Sequence, residues 1–153
     1  MYNVCLRMVK NEADAEDLLQ NSFVDVFTKL GTFRYHSSVG AWIKRIVINN
    51  CINFLKRKRY FFEELDGRHT ELRAPEAPSA STEGLNVEAV KAAMLELPDG
   101  YRIVFSLYLL EGYDHKEIAG ILGVTEATSK SQYSRAKKKL REIIDSKQLT
   151  SNY

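Results

Sequence analysis

The stretch from Asp114 to Leu140 carries two helix-starting signals divided by one short turn, and this spacing leaves the chain few options there. Asp114 followed three residues later by Glu117 has the form of a capping box, opening a helix with Ile118, Ala119, Ile121 and Leu122 on its inner side. Gly123 and Val124 follow at once, and Thr125 can cap another helix. A short glycine-containing turn between two helices is the pattern of a helix-turn-helix. Small Ala119 lets the helices approach, Gly123 supplies a permissive backbone and Val124 plugs the corner.

The second of these helices, from about Glu126 to Asp145, carries Lys130, Ser131, Gln132, Ser134, Arg135, Lys137, Lys138, Lys139 and Arg141, while Leu140, Ile143 and Ile144 face inward. In such a motif the early residues enter a major groove. Ser131, Gln132, Ser134 and Arg135 can bond base edges, and Lys138 and Lys139 are placed to neutralise phosphates. The plain alternative is a solvated basic helix in an unrelated bundle. Lys and Arg total 22 against 20 Asp and Glu, a net charge of +2, so overall charge does not announce a nucleic-acid binder and the distribution has to.

At 153 residues, with 44% hydrophobic and 27% charged residues, the chain has globular composition and room for one ordinary domain or two small ones. From Asn11 to Leu30, Leu19, Phe23, Val26, Phe27 and Leu30 recur at helical spacing, and Ala13, Asp14, Glu16 and Asp17 lie toward the positive helix end. Ser38 can cap a second long helix from Val39 to about Lys58, with Trp42, Ile43, Ile46, Val47, Cys51, Phe54 and Leu55 as its apolar stripe and Lys56-Arg57-Lys58-Arg59 at its end. Between about Tyr60 and Gly84 periodicity disappears while Pro75, Pro78 and Ser79 accumulate, as in a flexible connector. Val87, Val90, Met94 and Leu97 resume helical spacing until Pro98 opens a helix with Ile103, Val104, Leu107, Tyr108 and Leu110, ending near Gly112. Ile103 to Leu110 alone could pass for a strand, but length and neighbours favour helix. The expected fold is all-α, with a helical domain over 1–59, a flexible linker over 60–85, a helix-turn-helix domain over 86–146 and a tail over 147–153.

Two sets of short motifs now stand in one order. In the C-terminal half these are Leu97-Pro98, Tyr101-Arg102, Val104-Phe105, Glu111-Gly112-Tyr113, Glu117-Ile118-Ala119, Leu122-Gly123-Val124, Lys130-Ser131, Arg135-Ala136 and Lys138-Lys139-Leu140. In the N-terminal half they are Ala15-Glu16-Asp17-Leu18 with Gln20 and Phe23, then Phe33, Trp42-Ile43, Arg45-Ile46 and Asn49. Over nearly the whole chain this resembles the sigma-70 family of RNA polymerase initiation factors, in particular its small extracytoplasmic-function (ECF) group.

The resemblance implies a bacterial protein that binds core RNA polymerase and directs transcription initiation at promoters, reading minus-10 and minus-35 elements. It implies that Asp17, Gln20 and Phe23 help form the polymerase-binding surface, with a core position for Phe23 equally open. It assigns the loop from Phe33 to Ser38, together with Lys44, Arg45, Asn49, Asn53, Lys56 and Arg57, to melted minus-10 DNA. A captured single strand needs stacking or apolar pockets, amides for base edges and cations for phosphates, and all are present. Trp42 fits a core anchor better than a stacking platform. Lys130, Ser131, Gln132, Ser134, Arg135, Lys138 and Lys139 fall to minus-35 DNA, and an anti-sigma protein is implied as a further partner. The chain departs from the family pattern at Ser129, where a β-branched apolar residue is usual, at Gln132 and Tyr133, where arginine and leucine are common, at Asn53, which replaces a frequent aspartate, and in its short opening helix.

Other function classes find little support. His36, His69 and His115 have no plausible Cys, Ser or paired-carboxylate partner in sequence, so no enzyme is expected. Cys5 and Cys51 lie in apolar surroundings without metal-ligand spacing and read as buried thiols of a reducing cytoplasm, and no metal or cofactor is expected. No apolar run nears the roughly 20 residues of a membrane span and no signal peptide opens the chain, which favours a cytoplasmic location without membrane insertion. Met1-Tyr2-Asn3-Val4 enters an apolar segment with no cap, as a truncated start would. The chief rival is a self-sufficient helix-turn-helix regulator that dimerises through its N-terminal helices and binds a two-fold symmetric site.

Overall fold

The structure, a computed structural model, describes residues 1–58 and 87–151, which fall into two compact helical units. The connector expected over 60–85 lies outside the described residues, as does Arg59. Every element among the described residues is helical.

In the first unit α1 (Tyr2–Val9), α2 (Glu12–Lys29) and α3 (Val39–Arg57) pack on one another. Lys10, left-handed at φ 58°, ends α1, and the Asn11 side chain then accepts from the Asp14 N–H at 2.9 Å to start α2. Ser38 caps α3 as expected, its Oγ accepting from the Ala41 N–H at 3.2 Å. The core is Val4, Cys5 and Met8 from α1, Ala15, Leu18 and Val26 from α2, and Val47, Ile48, Cys51, Ile52 and Leu55 from α3.

Two apolar stripes need correction. On α2 the residues turned inward are Ala15, Leu18, Ser22 and Val26, whereas Phe23, Phe27 and Leu30 are exposed. The inner face tolerates a serine because Ser22 donates to the Leu18 carbonyl at 2.6 Å and accepts from Asn50 Nδ2 at 3.1 Å. Asn50 also donates to Asp25 at 2.8 Å, so a polar pin joins α2 to α3. On α3 the buried set includes Ile48 and Ile52, while Trp42, Ile43, Ile46 and Phe54 are half-buried.

The second unit comprises α4 (Val87–Glu96), α5 (Asp99–Phe105) with its π-helical continuation Ser106–Leu110, α6 (His115–Leu122) and α7 (Glu126–Ser151). Ala93, Met94, Leu97, Phe105, Ala136 and Leu140 form a core against which Ile143 and Ile144 pack. Arg102 is buried, and its charge is met by Asp99 at 2.7 Å and the Leu97 carbonyl at 3.1 Å. Ile103, Val104 and Leu107 face inward as expected, but Tyr108 and Leu110 do not. The wider π turn, closed by the Glu111 N–H on the Ser106 carbonyl at 3.0 Å, rotates the residues after it out of the α-helical stripe. The last helix runs through Ser151, beyond the end expected near Asp145.

Candidate nucleic-acid interface

The helix-turn-helix is built as its sequence demands. Asp114 Oδ1 accepts from the Glu117 N–H at 2.7 Å and Glu117 Oε2 accepts from the Asp114 N–H at 2.9 Å, so both halves of the capping box are made. Gly123 takes the left-handed conformation at φ 71°, and the N–H groups of Gly123 and Val124 both reach the Ala119 carbonyl, at 2.9 and 3.1 Å. Thr125 Oγ1 then accepts from the Thr128 N–H at 3.1 Å and starts α7. Ile118, Ile121 and Leu122 are buried, and Ala119 and Val124 are half-buried at the corner.

On α7, Lys130, Ser131, Lys138 and Lys139 are exposed and Ser134 and Arg135 half-buried, a polar and basic face set against the core face of Ala136 and Leu140. Lys130 pairs with Glu126 at 2.9 Å and Lys139 with Glu142 at 3.3 Å. Gln132 is a correction: at 5% exposure it lies on the inner side of the helix and does not share the face of Lys130, Ser131 and Lys138. It stands four residues before Ala136 and eight before Leu140, which is the helical repeat of the core stripe.

The departures at Ser129 and Tyr133 meet on one partner. Fully buried Ser129 places its Oγ 2.9 Å from His115 Nδ1, and the Tyr133 ring lies 5.7 Å from the imidazole. Tyr108 stacks on His115 at 4.4 Å and tilts against Tyr133 at 4.5 Å, and Lys137 Nζ sits 4.9 Å over Tyr133. Burial, and after it the Lys130 charge, push the His115 pKa below the usual imidazole value, with Glu126 and Asp114 opposing. Burial, and after it Tyr108, raise that of Tyr133.

In the first unit, Asp17, Gln20 and Phe23 lie on the outer face of α2, and Phe23, evenly divided by sequence between core and surface, is 38% exposed. Val24, Phe27 (72% exposed) and Leu30 extend this face into an apolar surface. Sequence reasoning missed that extension because Phe27 and Leu30 fit a helical stripe equally well from either side. Asn49, Asn53, Lys56 and Arg57 are exposed along α3, with Lys44 and Arg45 half-buried near its start. Phe33 rests against Trp42 at 5.2 Å and Tyr35 at 4.7 Å. Half-buried Trp42 thus supports Phe33, while Tyr35, left-handed at φ 57° and 85% exposed, ends the row of rings. Tyr35 was not singled out by sequence; an aromatic residue within a polar loop was the available signal.

Among the described residues no group of His, Cys, Asp and Glu could hold a metal, and no helix is long and apolar enough to cross a membrane. One helical unit thus carries a surface of amides, cations and rings, and the other a helix-turn-helix. Residues 1–60 match Sigma-70 region 2 and residues 87–140 match Sigma-70, region 4. The ECF RNA polymerase sigma factor SigM of Bacillus subtilis is 30% identical over 148 residues, covering 95% of this chain and 88% of that protein. SigM of Mycobacterium tuberculosis is 29% identical over 138 residues, and the match spans 88% of this chain and 66% of the relative's length. The sigma factor RpoE, solved in complex with the anti-sigma factor NepR from Bartonella quintana, superposes with a TM-score of 0.62 at 26% identity, covering 94% of this chain and 89% of that one. The chain belongs to the ECF sigma factors of the sigma-70 family.

Proposed function

We propose that this chain binds core RNA polymerase in the bacterial cytoplasm and directs transcription initiation at promoters with minus-10 and minus-35 elements, performing no bond-making chemistry itself. The observation that carries the proposal is the ordered occurrence of both sigma regions, over residues 1–60 and 87–140. Asp17, Gln20 and Phe23, with Val24 and Phe27 beside them, form the polymerase-binding face of α2. Phe33, Lys44, Arg45, Asn49, Asn53, Lys56 and Arg57 hold the melted minus-10 strand, with rings for stacking, amides for bases and cations for phosphates.

In the minus-35 major groove, Lys130, Ser131, Ser134 and Arg135 face base edges and nearby phosphates, while Lys138 and Lys139 anchor the backbone. This reading takes the domains as 1–59 and 86–146 with a connector between them, near the limits of the matched sigma regions at 1–60 and 87–140. An anti-sigma protein that covers these faces is the proposed regulator, by analogy with the solved RpoE and NepR pair.

The test is promoter-directed transcription by purified core polymerase with and without this chain. Initiation that depends on the chain and is lost when Gln20 and Phe23 are both replaced by Ala, with helicity intact, supports the reading. Failure to bind core polymerase together with dimerisation on symmetric duplex DNA favours a self-sufficient regulator instead.

A further inference from the structure

From Leu30 to Phe62 the sequence holds no Asp or Glu but seven Lys and Arg, although the whole chain carries a net charge of only +2. Such a stretch suits a polyanion. Within it, the loop between α2 and α3 carries a row of rings: half-buried Trp42 meets Phe33 at 5.2 Å, and half-buried Phe33 meets Tyr35 at 4.7 Å. Tyr35 closes the row with 85% of its surface open to water, between the exposed side chains of Arg34 and His36.

The backbone at Tyr35 adds a second observation. Among the described residues only Lys10 and Tyr35 combine a side chain with a positive φ, 58° and 57°. Lys10 ends α1, an ordinary use of the left-handed region. Tyr35 ends no helix, and a bulky side chain there is strained where glycine would not be. Burial does not repay that strain, because the ring stays in water. Strain kept without burial points to a role outside the fold itself.

We propose that Tyr35 is a stacking platform for one unpaired base of single-stranded DNA, with Phe33 and Trp42 as its support. The proposal rests on the minus-10 reading of the first unit and names the ring that takes the base. Every base has a π face, so this contact adds affinity with little regard to sequence, while exposed Asn49 and Asn53 are left to read base edges. Duplex DNA keeps its base faces stacked on one another. A platform of this kind therefore favours the melted strand over the paired one.

The experiment titrates the full chain at low salt into a fluorescein-labelled oligo-deoxyadenosine strand and into an abasic strand of the same length, reading anisotropy. Both strands offer the same phosphates, so their difference isolates the bases. The wild-type chain should prefer the deoxyadenosine strand by about fivefold or more. Tyr35→Gly and Tyr35→Asn, which both suit the left-handed backbone, should lose most of that preference, bind the abasic strand as the wild type does, and unfold at no lower temperature. Tyr35→Phe should keep the preference. A preference retained in Tyr35→Gly and Tyr35→Asn, an equal loss on both strands, or a lowered unfolding midpoint in both variants would overturn the proposal. Lys56→Ala combined with Arg57→Ala tests the underlying reading separately, since it should weaken both strands alike. If that pair weakens binding while the Tyr35 variants change nothing, the minus-10 reading stands and the platform falls; a wild-type chain that binds neither strand overturns both.

Discussion

His115 Nδ1 and Ser129 Oγ lie 2.9 Å apart, joining the start of one helix of the helix-turn-helix to the buried side of the other. The bond explains how a hydroxyl is tolerated at a position with no exposure, where an apolar side chain would otherwise be expected. Replacing Ser129 with Ala leaves the imidazole nitrogen without this partner and should destabilise the second unit by about 1 kcal/mol. Urea unfolding monitored within that unit checks the value; an unchanged midpoint would show that the bond contributes nothing net.

Burial of the same imidazole, and after it the Lys130 charge, make stability depend on pH. Because folding lowers the His115 pKa below its unfolded value near 6.5, the unfolded chain binds more protons as the solution is acidified. The contribution is therefore present above the unfolded pKa and is lost as pH falls from about 6.5 through the folded value. Thermal unfolding between pH 7.5 and pH 5 should show this decline, reduced in His115→Gln, with His36→Gln as the comparison.

Gly123 is conformational rather than steric. Its φ of 71° is left-handed, and a Cβ built there meets nothing within 4 Å. Gly123→Ala should cost about 1 kcal/mol from backbone strain alone, and Gly123→Asn less, since asparagine tolerates this region better. Equal losses for both would show that space at the turn, not backbone conformation, sets the cost.

On α2 the exposed Phe27 separates binding from stability. Phe27→Asp should change unfolding free energy by no more than about 0.5 kcal/mol. It should weaken association with core polymerase by at least about tenfold, corresponding to about 1.4 kcal/mol. Paired measurements of thermal unfolding and polymerase binding test this, and a large loss of stability would return Phe27 to a structural role.

For α7, Arg135→Ala should cost about 1–3 kcal/mol on a minus-35 duplex and relax sequence preference, whereas Lys138→Ala should weaken all duplexes alike and lower the salt slope by about one. Binding titrations on specific and scrambled duplexes at several salt concentrations distinguish them. Equal losses on both duplexes for Arg135→Ala would contradict base reading at that position.

Local chemistry made much of this legible in advance. The capping box at Asp114 and Glu117, the turn at Gly123 and the caps at Ser38 and Thr125 depend on neighbours three or four residues away, so the sequence by itself determined them. It also determined the all-helical class and both sigma regions, which rest on ordered motifs. Tertiary structure alone decided which way the apolar surfaces turn. Phe23 and Phe27 match a helical period whether they face inward or outward, and the Ser22 and Asn50 hydrogen bond placed a polar residue on the inner face instead. Likewise Gln132 fell on the core side and Ser129 found His115 across the turn, because burial of a polar group depends on a partner far along the chain. Spacing specifies which residues share a helix face; only packing against other helices specifies which face loses its water.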